Sequence, residues 1–203
     1  MILYSIIIGA FIIIISGANI LFNPLYHDNW WVYILFAIGF AVIAIVIDGI
    51  VAFAIRKMPE KYFQKDKGIF KTSVKELRFY EFIKVKKWKD YVPELGNFTG
   101  FHKNKITNPF DNKYIWRFII ESRYGVAIHF YSVPTSFLLL FLDWKMYSGE
   151  SNIWLTIALP VAIVNAILIV LPAFILKYNL PRLLRIYEKN AIADAKKAQK
   201  ENN

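Results

Sequence analysis

The chain predicts an all-α integral membrane protein with four transmembrane helices and a basic cytoplasmic loop containing interfacial amphipathic helices. Three observations carry this. The 203 residues are 57% hydrophobic and 17% aromatic, with mean hydropathy +0.38, which is too apolar for an ordinary soluble domain. The same residues carry a formal charge of +10. Apolarity and charge are segregated, because the basic residues fall almost entirely between or after four long apolar runs. With no cysteine in the chain, disulfides, thiolate metal sites and a cysteine nucleophile drop out. Three widely separated histidines give no ligand spacing, so no metal is expected.

The first run, residues 2–22, crosses a hydrocarbon core of about 30 Å at about 1.5 Å per residue. It lacks a basic leader and is followed by NPLYHDNWW rather than a small-residue cleavage site, so it reads as a retained span. Asn23 and Pro24 end it, and His27, Asp28 and Asn29 form a short turn. Trp30, Trp31 and Tyr33 suit the interface, where an apolar ring can keep a polar edge wet. The second span, about 30–55, holds Asp48 and stops at Arg56, Lys57, Met58 and Pro59.

From Arg56 to Lys113 there are fifteen Lys or Arg against seven Asp or Glu, so the loop 56–122 is expected to be cytoplasmic. Aromatic and aliphatic residues interleave with its lysines, which fits helices lying in the interface with apolar groups down and snorkelling lysines up. A basic, aromatic-rich stretch also suits nucleic acid, but no recognised binding motif accompanies it and both flanks are spans, so no nucleic-acid partner is expected. Pro93, Gly96, Gly100, Asn108 and Pro109 mark turns. The third span is about 123–142, with Pro134 permitting a kink, and a polar outer turn covers 143–152. The fourth span is about 153–176, broken by Pro160 and Pro172 and containing Asn165. A short amphipathic anchor at 180–187 then leads into a basic polar tail, 188–203. Two crossings separate the two basic regions, so residues 1–187 read as a single multi-pass domain of the cell membrane with both termini cytoplasmic.

Chemistry concentrates in the stretch 119–141, where Glu121, Arg123 and His129 stand at the entry of the third span. Glu121, Gly125 and His129 share one broad helical face, and Gly125 opens a notch on it. Ionisable groups in such a place turn toward the protein interior or a wet cavity, which marks a functional site. The alternative is structural: Glu121 and Arg123 pair as interfacial anchors, and His129 makes a helix-to-helix hydrogen bond.

Four segments, MPEKYFQKDKGIFK at 58–71, KVKKWKD at 84–90, IIESRYGVAIH at 119–129 and KYNLPRLLRI at 177–186, together resemble the glycosyl-4,4'-diaponeurosporenoate acyltransferase family. These are small membrane enzymes of staphyloxanthin-type carotenoid synthesis. The resemblance covers about residues 55–187 and leaves the first apolar helix outside. It implies transfer of a fatty acyl chain to the sugar of a carotenoid glycoside or a similar glycolipid. The implied partners are membrane lipids, a lipid or glycolipid acceptor and an acyl donor, with acyl-CoA or another donor as co-substrate and no cofactor.

Such a transfer needs a base for the hydroxyl, donors for the oxyanion and a grip on both substrates. His129 is the expected base, since imidazole takes and returns protons near neutral pH. Glu121 lies eight residues earlier, about 12 Å along a helix, too far to pair with it. Asp48 reaches a comparable depth on the antiparallel second span and is expected to orient and charge His129. Arg123 would hold a phosphate, sugar or oxyanion through its planar fork, and Glu121 would accept hydrogen bonds from sugar hydroxyls. Lys86, Lys87 and Lys89, with Trp88 as anchor, would attract a polyanionic donor; attraction to anionic headgroups explains these lysines equally well. Tyr178, Asn179, Pro181 and Arg182 would close over the mouth, unless Pro181 and its neighbours simply end the span. Beside the enzyme stands a second reading, a non-catalytic membrane protein that binds or scaffolds components of a lipid or isoprenoid pathway.

Overall fold

The computed structural model describes residues 2–92, 106–143 and 151–201. It is helical throughout, with no strand among the described residues. The helices are α1 (Ile2–Phe22), α2 (Trp31–Lys57), α3 (Val74–Phe82), α4 (Val85–Trp88), α5 (Asn112–Thr135) and α6 (Leu159–Glu201). Four helical segments are long and apolar enough to cross a membrane: Tyr4–Phe22, Trp31–Lys57, Asn112–Leu142 and Trp154–Lys197. A spanning helix satisfies its own backbone hydrogen bonds, which is why such runs fold this way in lipid. The turns expected at Pro93, Gly96 and Gly100, and most of the outer turn at 143–152, lie outside the described residues.

Two boundaries differ from the sequence expectation. The third helix begins eleven residues before the predicted 123, at Asn112. Asp111 caps it, accepting from the backbone N–H of Lys113 at 2.9 Å and of Tyr114 at 3.2 Å. Ile115, Phe118, Ile119, Ser122 and Val126 then form a buried stripe at helical spacing. Charges at Lys113, Arg117, Glu121 and Arg123 mask that stripe from a hydropathy count. The fourth helix does not stop near 176, and Pro181 does not end it. α6 runs for 43 residues with Pro172 and Pro181 inside, so the segment read as an anchor and polar tail continues one helix to Glu201. A proline removes one ladder hydrogen bond and crowds one carbonyl. Packing outweighs that here: Leu176, Leu180 and Leu183 are buried with Ile115, Phe118 and Ile119, and Tyr187 lies against Trp116 with ring centroids 5.2 Å apart. Asn190 also donates to the Pro109 carbonyl at 2.8 Å. After Pro134 the third segment tightens into a 3-10 helix, Ser136–Leu142.

The contacts cluster into two compact units, Met1–Arg56 with Ile128–Val170 and Lys57–Ala127 with Leu171–Asn203. In the first, Ile15, Tyr33, Ala37, Phe40, Ala44, Leu139, Ile157 and Val161 form the core. One end of it is polar. Asn19 donates to the carbonyls of Ile15 and Thr156 at 2.9 and 3.0 Å, and Asn23 donates to the side-chain oxygens of Asn19 and Asn152 at 3.0 and 2.9 Å. Thr156 lies in a π-helical turn, Trp154–Ala158, whose wider ring loosens the local ladder and exposes carbonyls to outside donors. Tyr33, fully buried, donates its hydroxyl to the Asn23 carbonyl at 2.7 Å. Tyr33→Phe leaves that network short of one donor and should lower stability by about 1 kcal/mol, read as a lower thermal midpoint in detergent with helix content unchanged.

Candidate active site

The second unit brings the four sequence segments together in pairs. The 58–71 segment hooks around the start of 123–124. Arg123, only 1% exposed, donates through Nη1 to the carbonyls of Phe63 at 3.0 Å and Gln64 at 2.8 Å, and through Nη2 to Asp66 at 3.3 Å. Tyr124 stacks on Phe63 with centroids 3.9 Å apart and donates its hydroxyl to the Met58 carbonyl at 2.9 Å. Gly68 then takes a left-handed φ of +55°, a conformation only glycine adopts freely, and Phe70 returns onto Phe63 at 5.7 Å. Arg123 thus spends its planar fork on the protein's own backbone rather than standing open for a substrate. Its Nε is the one nitrogen of the group without a partner.

The other two segments also meet. Trp88 donates its indole N–H to the Ile83 carbonyl at 2.8 Å and packs with Tyr178 around Tyr80, Val85 and Ile175. Lys177 pairs with Glu76, and its carbonyl accepts from Thr72 at 3.0 Å. Trp88 and Tyr178, both read as substrate contacts, therefore pack against one buried cluster. Lys89 and Asn179 are half-buried, Arg182, Lys86 and Lys87 are exposed, Glu121 is half-buried, and Gly125 is buried.

Glu76 serves two partners. One carboxylate oxygen accepts from the Ser73 backbone N–H at 2.7 Å, completing a capping box at the start of α3, and the other meets Lys177. Partial burial works against the charge, but the Lys177 ammonium and the Ser73 donors outweigh it, so the carboxyl lies below its ordinary value of 4.5. A carboxyl depressed in the folded state contributes stability above its unfolded value, and that contribution fades as pH falls through the folded value. Glu76→Gln keeps an acceptor for the cap and removes the charge. It should cost about 0.5–1 kcal/mol at neutral pH, as expected of a partly exposed pair. The gap between wild type and variant in pH-dependent thermal unfolding should close as the pH is taken below 4.5.

The first unit holds a different kind of site. Asp48 of α2 accepts from Asn165 of α6 at 3.0 Å, and Asn165 also donates to Ser136 of α5 at 3.0 Å. Ser132, 1% exposed, neighbours the Asp48 carboxyl. Ser132 Oγ and Asp48 Oδ1 are both buried, the hydroxyl faces the carboxyl, and neither atom meets a further partner. Ser122 and Ser136 bond back to the carbonyl four residues earlier, at 2.8 and 2.9 Å; Ser132 does not. His129, Ser132 and Ser136 lie at i, i+3 and i+7, one stripe of the helix. Asp48 gives one acceptor to Asn165 and lies beside Ser132, one helical turn along from His129. The stripe was legible as spacing in the sequence, but Ser132, Ser136 and the Asn19–Asn23–Asn152 network were not singled out there.

A family model for glycosyl-4,4'-diaponeurosporenoate acyltransferase matches residues 59–189, more than half of the chain. The chain belongs to that family. It is therefore an acyltransferase of carotenoid biosynthesis and, with four apolar helices of spanning length, a membrane protein. The match takes in the Arg123 hook, the Trp88–Tyr178 cluster, His129, Ser132, Ser136 and Asn165. Asp48, Asn19 and Asn23 precede it. No curated protein and no solved structure matches the chain.

Proposed function

We propose that the protein is a membrane-embedded O-acyltransferase that moves a fatty acyl chain from a thioester, such as acyl-CoA, to a sugar hydroxyl of a carotenoid glycoside or similar glycolipid at the cytoplasmic leaflet. The observation that supports this most is the polar stripe of His129, Ser132 and Ser136 set against Asp48 and Asn165 in an otherwise apolar bundle. Ionisable and polar groups in such a place are costly and turn toward the protein interior or a working site.

His129 takes the proton of the acceptor hydroxyl as its oxygen attacks the thioester carbonyl, and returns it to the departing thiolate. The Ser132 hydroxyl donates to the oxygen on which charge develops. Asp48 and Asn165 fix the stripe's environment, and Glu121 binds acceptor hydroxyls. Arg123 acts as a positioning residue through the 58–66 hook. Exposed Lys86 and Lys87 draw the polyanionic donor to the surface, and exposed Val74, Phe79 and Phe82 of α3 rest in the interface.

The test is reconstitution of the purified protein in proteoliposomes with labelled palmitoyl-CoA and a glucosylated carotenoid acid, followed by mass spectrometry of the lipid extract. A product heavier by one acyl group and ester-linked to the sugar is expected. Hydrolysis of the donor without acylated glycolipid would overturn the reading.

A further inference from the structure

α3 is built into the second unit by one side only. Glu76 pairs with Lys177, Tyr80 is buried against Phe174 with ring centroids 5.4 Å apart, and Tyr80 and Val85 share a buried cluster with Ile175. These contacts also fix its depth. No charged residue occurs between Glu150 and Lys177, so α3 lies against the turn of α6 where a spanning run reaches the polar boundary of the bilayer. The other side of α3 faces outward. Val74, Arg78, Phe82, Lys75 and Phe79 fall in that order around an arc of about 140°, at about 100° per residue. All five are exposed, Phe82 at 81%. Phe79, at one rim, touches Phe174 edge-on, and exposed Glu81 stands at the other rim beside Val74.

The composition of this arc says what covers it. A helix face turned to hydrocarbon is apolar throughout, and the centre of a protein interface is poor in lysine. Rings and cations interleaved on one arc suit the level where acyl chains give way to headgroups, with the phenylalanines pointing down and the longer basic side chains reaching up. Cations at that level match anionic headgroups in charge. The turn after α3 adds to the match. Lys84 takes a left-handed φ of +55°, where glycine would close the turn with less strain, so a basic side chain is kept against the preference of the backbone. Lys84 is exposed, as are Lys86 and Lys87. We propose that the outer face of α3 is a binding surface for anionic phospholipid, with Val74, Phe79 and Phe82 among the upper acyl carbons and Lys75, Arg78 and Lys84 on the negative headgroups. This rests on the interfacial placement of α3 given above, which it deepens by naming the lipid and the groups that hold it; it does not depend on the acyl-transfer reaction.

Because the chain has no cysteine, a single reporter can be placed on the arc. Full-length Phe82→Cys protein labelled with bimane is reconstituted in phosphatidylcholine nanodiscs, and Val74→Cys serves if that variant fails to fold. Quenching is measured with phosphatidylglycerol or phosphatidylcholine carrying a doxyl group just below the headgroup, at equal mole fraction. Both lipids should quench, and the local preference for phosphatidylglycerol should be about fivefold, the equivalent of one cation at about 1 kcal/mol. That preference should vanish in a Lys75→Gln/Arg78→Gln background and fade in high salt. Bimane at Val42→Cys, exposed on α2, should be quenched without preference, and a like preference there overturns a surface particular to α3. Quenching by neither lipid, with the face in water or covered by protein, overturns the placement and the surface together. Equal quenching by the two lipids leaves the placement standing and overturns the anionic surface. Neither result decides acyl transfer, which the proteoliposome product tests separately.

Discussion

His129→Ala is expected to lower acyl transfer in proteoliposomes by about 10²–10⁴-fold, the range of a lost general base, while expression, extraction and thermal midpoint stay near wild type. The argument is positional. His129 is half-buried, one turn before Ser132 on the stripe that meets Asp48 and Asn165, and none of its neighbours on that stripe is basic. Asp48→Asn separates charge from shape, since an amide oxygen still accepts from Asn165. If the carboxylate field tunes the imidazole across the intervening turn, this variant shifts the pH profile of kcat without changing the fold. Ser132→Ala should lower kcat more than it raises KM, as for a donor used only when charge develops on the carbonyl oxygen. Full turnover by His129→Ala would instead make the stripe a helix-to-helix polar contact. Catalysis would then have to be sought in the second unit.

The four spans were legible because hydropathy over twenty residues is a large signal set against a sharp physical length. Their ends were not, and each miss has its own cause. The start of α5 hides because Lys113, Arg117, Glu121 and Arg123 alternate with the stripe of Ile115, Phe118, Ile119 and Ser122. A window average dilutes what the helical period preserves. The continuation of α6 hides because Pro181 is a strong local signal for stopping, and the leucines that overrule it, Leu176, Leu180 and Leu183, act only through contacts distant in sequence. The site divides in the same way. Spacing alone put His129 on a polar face, whereas the partner of Asp48 depended on which amide of a later helix lay opposite, and Asn165 is that amide. Arg123 shows the limit most clearly. Its fork was read as holding a phosphate, sugar or oxyanion, but sequence cannot tell a substrate's oxygens from those of a loop sixty residues away, and Arg123 donates to the latter.

Arg123→Met should destabilise the protein by about 3 kcal/mol, because it leaves the carbonyls of Phe63 and Gln64 without their donor where water has little access. It also removes the partner of Asp66. Arg123→Lys keeps the charge but offers a single point of donation in place of two parallel N–H groups, so it should recover only part of that loss. The local readout is proteolysis: in Arg123→Met the 58–66 segment should become cleavable under conditions where wild type resists, and thermal unfolding should begin earlier. A substrate-binding Arg123 predicts a different pattern, with KM for the donor or acceptor rising steeply and stability and protease resistance untouched. The geometry favours the first outcome, since a side chain 1% exposed with both terminal nitrogens bonded to main-chain or side-chain oxygens has little left for a visiting molecule. Tyr124 provides the independent check. Tyr124→Phe keeps the stack on Phe63 but loses the bond to the Met58 carbonyl. It should therefore loosen the same hook by about 1 kcal/mol and add less than its full effect to Arg123→Met, because both variants release one shared segment.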